Sequence, residues 1–184
     1  MPLFGEIPIK ILLIALLLNS SIAIGKEAFE VERDLWLETH NKAREEVGNG
    51  PLIWSMDLKR MAKKWALHLA GRKHLCDEKK LQLHHSPQRG DIGENIAASW
   101  GRKHPVSAPV EWWIKEKQWY DAKKNECNAP AGKSCGHYTQ VIAWRSTRVG
   151  CAKASCPGSD NITYYVCNYE KHGNMAGVHP IKGK

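Results

Sequence analysis

The sequence predicts an α+β domain in which helices come first and strands come late. Three amphipathic stripes lie between Leu35 and Tyr120, and two period-two patterns follow, at His137 to Trp144 and at Ile162 to Tyr169. Helices and strands do not alternate, so a segregated arrangement is favoured over βαβ repeats. No internal repeat, dinucleotide fingerprint or P-loop signature occurs.

In the first stripe Leu35, Trp36, His40, Ala43 and Val47 recur at helical spacing, and Gly48, Gly50 and Pro51 stop the helix. Ser55 is a plausible N-cap for the second, with Asp57 in its first turn. Leu58, Met61, Ala62, Trp65 and Leu69 form its stripe and Gly71 ends it. The third runs from Ser107 to Tyr120, tolerating Pro109 in its first turn, with Val110, Trp113, Ile114 and Lys117 along one side. Trp36, Trp54 and Trp65, on these stripes and at their edges, read as packing residues.

Between the second and third helices the turn formers Ser86, Pro87, Gly90 and Gly93 argue for loops around a short ordered segment at Glu94 to Ala98. A polar stretch of this kind is where a site is to be sought. In the first strand pattern, alternation puts His137 on one face with Thr139, Val141 and Ala143. That leaves it either a core histidine with both ring nitrogens satisfied or a residue facing a cleft. In the second pattern Ile162, Tyr164 and Val166 share a face.

The compartment is read from the start of the chain. Lys10 precedes the apolar run Ile11 to Leu18, and small residues follow at Ser21, Ala23 and Gly25. This is the pattern of a secretory signal peptide over residues 1–25, and so short a run does not cross a bilayer as a helix. Residues 26–184 then form a single soluble, exported domain. All six cysteines, Cys76, Cys127, Cys135, Cys151, Cys156 and Cys167, lie in that part, where oxidising conditions favour three disulfides over a zinc-thiolate site. The formal charge of +8 favours approach to an anionic cell surface or cell wall. Nucleic acid is not an expected partner, because the basic residues are scattered and the chain is exported. The sequon at Asn161 is an acceptor for glycosylation.

The segments GHYTQVIAW, RVGCAKASC and YYVCNYEKHGN resemble the signatures of the CAP superfamily: cysteine-rich secretory proteins, antigen 5 and plant pathogenesis-related proteins of class one. The resemblance continues upstream through THNKAREEVG, PLIWSMDLKRMAKKWA, HHS, GENIA and EWWIKEKQWYD. With six cysteines and no appended cysteine-rich module, the chain is most similar to the plant class one group. The resemblance implies an α-β-α sandwich, a small antiparallel sheet between helical layers. It also implies disulfides Cys76–Cys156, Cys127–Cys135 and Cys151–Cys167, and a cleft tetrad of His85, Glu94, Glu116 and His137.

Each cleft residue has an alternative role. His84 adjoins His85 and competes for its register. Glu94 could cap a helix or pair with Arg89, and Glu116, between Lys115 and Lys117, could be an exposed helix charge beside Trp112 and Trp113. Two imidazoles and two carboxylates suit three chemistries. They can take Zn2+, with His85 and His137 as ligands and Glu94 and Glu116 ligating or orienting; they can exchange protons; or they can form a structural network. No cofactor is required. The signature HExxH is absent and the cysteines are committed to pairing, so binding is favoured over catalysis.

The resemblance implies a secreted, monomeric defence protein that binds sterols or related lipids. A metal-dependent hydrolase or protease using the His/Glu cleft is one alternative. The precursor of a C-terminal signalling peptide is another, against which Glu170, Lys171 and His172 interrupt the family tail.

Overall fold

A computed structural model describes residues 9–77, 81–87, 90–102, 104–158 and 162–184, with side chains from residue 23 onward. Contacts divide the chain after Asp34 into two units. The first contains the N-terminal part of helix α1 (Ile9–Glu45), where Arg33 and Asp34 pair at 2.7 Å. The signal peptide expected at 1–25 lies partly outside the described residues, and Asn161 and Arg89 lie wholly outside them.

The second unit is built on a four-stranded sheet in the order β1 (Ile53–Trp54), β5 (Arg148–Ser155), β6 (Ile162–Tyr169), β2 (Gly93–Trp100). The last three pair antiparallel, whereas β1 runs parallel to β5. The sheet is therefore mixed rather than wholly antiparallel. Its parallel member is short because Ile53 N donates to Thr147 O, Ser55 N donates to Val149 O, and the chain then turns into a helix. A separate hairpin joins β3 (Tyr120–Asp121) and β4 (Glu126–Cys127).

Side chains alternate across the sheet and feed two cores. On one face Ile96, Ala152, Ala154, Ile162, Tyr164 and Val166 meet Ala62, Ala66 and Leu69 of α2 (Met56–Ala70). On the other, Val149, Cys151, Tyr165, Cys167 and Tyr169 meet Trp36 and Ala43 of α1, Val110 and Trp113 of α3 (Ser107–Ile114), and Val141 and Ile142 of α4 (Gly136–Ile142). This is the expected α-β-α sandwich. All eight residues of β6 are buried, since it is covered on both faces and paired on both edges.

Ser55 caps α2 by accepting from Leu58 N at 3.3 Å, as expected, and Gly71 closes it. The buried stripe is Leu58, Ala62, Ala66, Leu69 and Ala70, so Met61 turns outward, 38 % exposed. Small residues let α2 lie close on β5. A Cβ at Gly150 would stand 2.5 Å from Ser55 O and 2.6 Å from Leu58 C, inside any tolerable contact.

Two expectations are corrected. His137 to Trp144 is not a strand: Gly136–Ile142 is the helix α4, whose first turn is held by groups distant in sequence, as described below. The short segment at Glu94 to Ala98 belongs to a full strand, Gly93 to Trp100, whose polar beginning and small residues hide the alternation. The third helix also tightens, from α-helical Ser107–Ile114 to 3-10 geometry over Lys115–Trp119.

The disulfides join Cys76 to Cys156, Cys127 to Cys135 and Cys151 to Cys167. A buried guanidinium ties the helical layer together: Arg44 donates to the carbonyls of Gly50, Val141, Ala143 and Ser146 at 2.7 to 3.1 Å. The C-terminal segment is pinned as well. Gly173 N donates to Gln140, Asn174 bonds to Thr139 and Gly136, and Pro180 O accepts from Trp144 N and Asn49 Nδ2.

Candidate functional site

The four residues of the expected tetrad form two histidine-carboxylate pairs. Glu94 enters from β2 with its side chain fully buried. Its Oε1 accepts from His85 Nδ1 at 2.8 Å and from Ser86 N at 2.9 Å, fastening the preceding loop to the strand. Asn168 lies opposite Glu94 on β6 and, with its amide nitrogen turned towards the carboxylate, donates to Oε2 at 3.2 Å. His84 is not in this pair. It is exposed, its ring meets Gln82, and its carbonyl accepts from Trp65 Nε1.

The second pair explains why a short β-branched segment is helical. Glu116, in the 3-10 stretch, accepts through Oε2 from His137 N at 2.9 Å and Tyr138 N at 3.2 Å, the orphan donors of the first turn of α4. Its Oε1 accepts from His137 Nδ1 at 2.7 Å. Glu116 is thus a helix cap delivered from another element, and its side chain is 14 % exposed rather than a solvated charge. The His137 ring stacks on Trp113, with centroids 6.2 Å apart and planes 16° from parallel.

In both pairs Nδ1 donates to a carboxylate, which fixes the tautomer and leaves Nε2 with a lone pair. Neither Nε2 has a hydrogen-bond partner among the described residues. Such a nitrogen accepts a proton or ligates a metal. No three ligand atoms of the tetrad lie within 4.8 Å of one another; the only described trio that does is His40, Cys151 and Cys167. That trio is not a metal site, because its sulfurs are bonded to each other and both nitrogens of His40 are occupied.

His40 belongs to a buried relay that sequence reading missed. Trp36 O takes the Nδ1 proton at 2.7 Å, so Nε2 accepts from Tyr169 OH at 2.8 Å. Asn95 Nδ2 reaches both Tyr169 OH at 3.3 Å and His137 O at 3.0 Å, joining α1, β6, β2 and α4 behind the second pair. Desolvation lowers the His40 pKa to about 4 against the supporting bond from Trp36, and Arg44 lowers it further. Burial likewise pushes the Tyr169 hydroxyl well above its ordinary value. The one sequence signal was a histidine on an otherwise apolar helix stripe.

A disulfide-braced sheet between helical layers, with an oriented histidine on each of two loop-to-sheet or helix-to-helix junctions, fits the family that the sequence resembles. The chain belongs to that family: the model described as CAP, cysteine-rich secretory protein family, matches residues 37–169. It is 38% identical over 179 residues to pathogenesis-related protein 1A of Nicotiana tabacum, covering 97% of each chain. It is 37% identical over 180 residues to pathogenesis-related protein PRMS of Zea mays, covering 94% of this chain and 96% of the other. Among solved structures, venom allergen-like protein 4 of Schistosoma mansoni shares the fold with a TM-score of 0.56 and 23% identity, over 83% of this chain and 94% of that one. NaASP2 shares it with a TM-score of 0.60 and 24% identity, over 81% and 84%. The chain is a CAP protein of the pathogenesis-related 1 kind, consistent with plant defence.

Proposed function

We propose that this protein is exported after cleavage near Gly25 and acts in defence as a non-enzymatic binder of a sterol or related lipid at anionic cell surfaces. The observation that carries the lipid reading is a groove of about 670 Å³ between the Cys127–Cys135 loop and the C-terminal segment. Tyr120, Ala129, Met175, Val178 and Pro180 supply its apolar walls, and Asn125 and Asn174 are polar groups able to orient a hydroxyl. That volume lies within the range of small-molecule sites. Titration of the secreted protein with a fluorescent sterol tests the reading. Saturable binding that persists in high salt and falls about tenfold or more in Val178→Asp is expected; binding abolished by salt assigns it to electrostatics and overturns the groove.

A second reading rests on the free Nε2 atoms of His85 and His137. Imidazoles oriented by carboxylates suit Zn2+, and NaASP2, of the same fold, has been solved with Zn2+. An ion ligated by three of the tetrad would draw the two pairs closer together. Calorimetric titration with Zn2+ should show binding weakened in His85→Ala and His137→Ala but kept in His84→Ala. Equal binding by wild type and folded His137→Ala would sink this reading.

A further inference from the structure

A second concave site lies away from the histidine pairs, where the turn after α4 meets the start of the C-terminal segment. This pocket, about 450 Å³ in volume, is lined by Arg44, Trp144, Arg145, Thr147, Lys171 and Lys182 among others, with no carboxylate in its walls. Glu170, bonded to the rim residue Thr147, also lies against Arg148 at 3.7 Å. Arg145, Lys171 and Lys182 have no acidic partner among the described residues.

Several features hold these cations in place. The Arg145 guanidinium lies over the Trp144 ring, 5.6 Å from its centroid, and its Nε is shielded from solvent without a hydrogen-bond partner among the described residues. Such a donor costs free energy unless something accepts from it. Lys171 has φ of 66°, a left-handed conformation rare outside glycine, and its carbonyl is fastened by Ser146 Oγ at 3.0 Å. Ser146 is itself held by Gln140 Nε2. Lys182 is positioned through its backbone N–H, which donates to Asn49 Oδ1 at 3.0 Å. Beneath them Arg44 keeps its four carbonyl bonds and adds its charge to the floor.

We propose that this pocket is an oxyanion-binding site that takes a phosphate group, with Arg145 as its main donor and Lys171 and Lys182 as flanking charges. A guanidinium offers paired N–H donors that match a tetrahedral oxyanion, and the two lysines supply charge without demanding one geometry. The site gives the diffuse positive charge of the chain a specific point of attachment. Its occupant is a free phosphate or the phosphate of a lipid headgroup.

Titration of the folded protein with inorganic phosphate, followed by NMR shifts of Trp144 and Lys171, tests the assignment. Wild type should saturate. R145Q should bind about tenfold or more weakly, and the double variant K171Q/K182Q should also lose affinity. K64Q removes an exposed charge from α2, outside this pocket, and should bind within about twofold of wild type. Equal losses in K64Q and R145Q, or no saturable response in wild type, would overturn the site. Should R145Q fail to fold, the lysine double variant set against K64Q makes the same distinction. Phosphatidylcholine vesicles carrying phosphatidic acid separate the sources: binding competed by phosphate and lost in R145Q marks a headgroup, whereas equal vesicle binding by both proteins marks the free anion.

Discussion

At His40 burial decides the charge. The folded chain keeps this imidazole neutral down to about pH 4, whereas an unfolded histidine takes its proton near 6.5. The unfolded state therefore binds more protons between those values, and stability falls as pH drops through them. The contribution is fully present above about pH 6.5, and its loss reaches about 3 kcal/mol by the time pH 4 is reached. Urea unfolding at pH 7 and pH 4.5 should show that slope, and His40→Gln, less stable at neutral pH, should have a shallower one. Glu116 is bound differently, by three donors at once. Glu116→Ala should cost about 2 to 3 kcal/mol, because it uncaps α4 as well as releasing a ring, and His137→Ala about 1 kcal/mol, because the cap survives. If chemical denaturation ranked the two the other way, the capping role would be wrong.

Among the elements, α2 and β5 meet most intimately, because Gly150 gives the helix backbone room. Gly150→Ala should destabilise by about 2 to 4 kcal/mol through forced separation of helix and sheet, measurable as a lowered Tm; a change under about 0.5 kcal/mol would show that the layer gives way freely. What could be read from the sequence here follows from locality. The α2 stripe, its Ser55 cap and the two faces of β6 are written in neighbouring residues. Helix α4 is not, because seven residues rich in Thr139, Val141 and Ile142 suit either period, and the deciding cap, Glu116, is 20 residues away from the helix start at Gly136. Strand β5 carries Gly150, Ala152 and Ala154 on one face, too small to announce a pattern. The tetrad became visible only through motif resemblance, and the relay from His40 through Tyr169 and Asn95 stayed hidden because each partner lies on a different element.

Over the whole second unit, three covalent links brace what the sheet organises. Cys76 and Cys156 are 80 residues apart in sequence, Cys127 and Cys135 only 8. By chain entropy the first should contribute about 4 to 5 kcal/mol and the second about 2.5. Replacing each pair by serine and measuring unfolding at equilibrium should give losses in that order; the reverse order would mean that native contacts, rather than loop length, set them. The pinned C-terminal segment bears on peptide release: a protease cutting after Tyr169 would still leave Gly173, Asn174 and Pro180 bonded to α4 and its neighbours.

Strand β6, buried along its whole length and flanked by partners on both sides, has a consequence in time. Its amide protons have no small motion by which to reach water, so they should exchange with deuterium only when the entire unit opens. The pairings of the two-residue strand β1 and the exposed end of β2 at Trp100 should exchange orders of magnitude sooner through local fraying. A protection map peaking on Tyr164 to Asn168 and declining outward would show the molecule coming apart from its edges inward, with the strand between the two cores as the last to surrender its hydrogens.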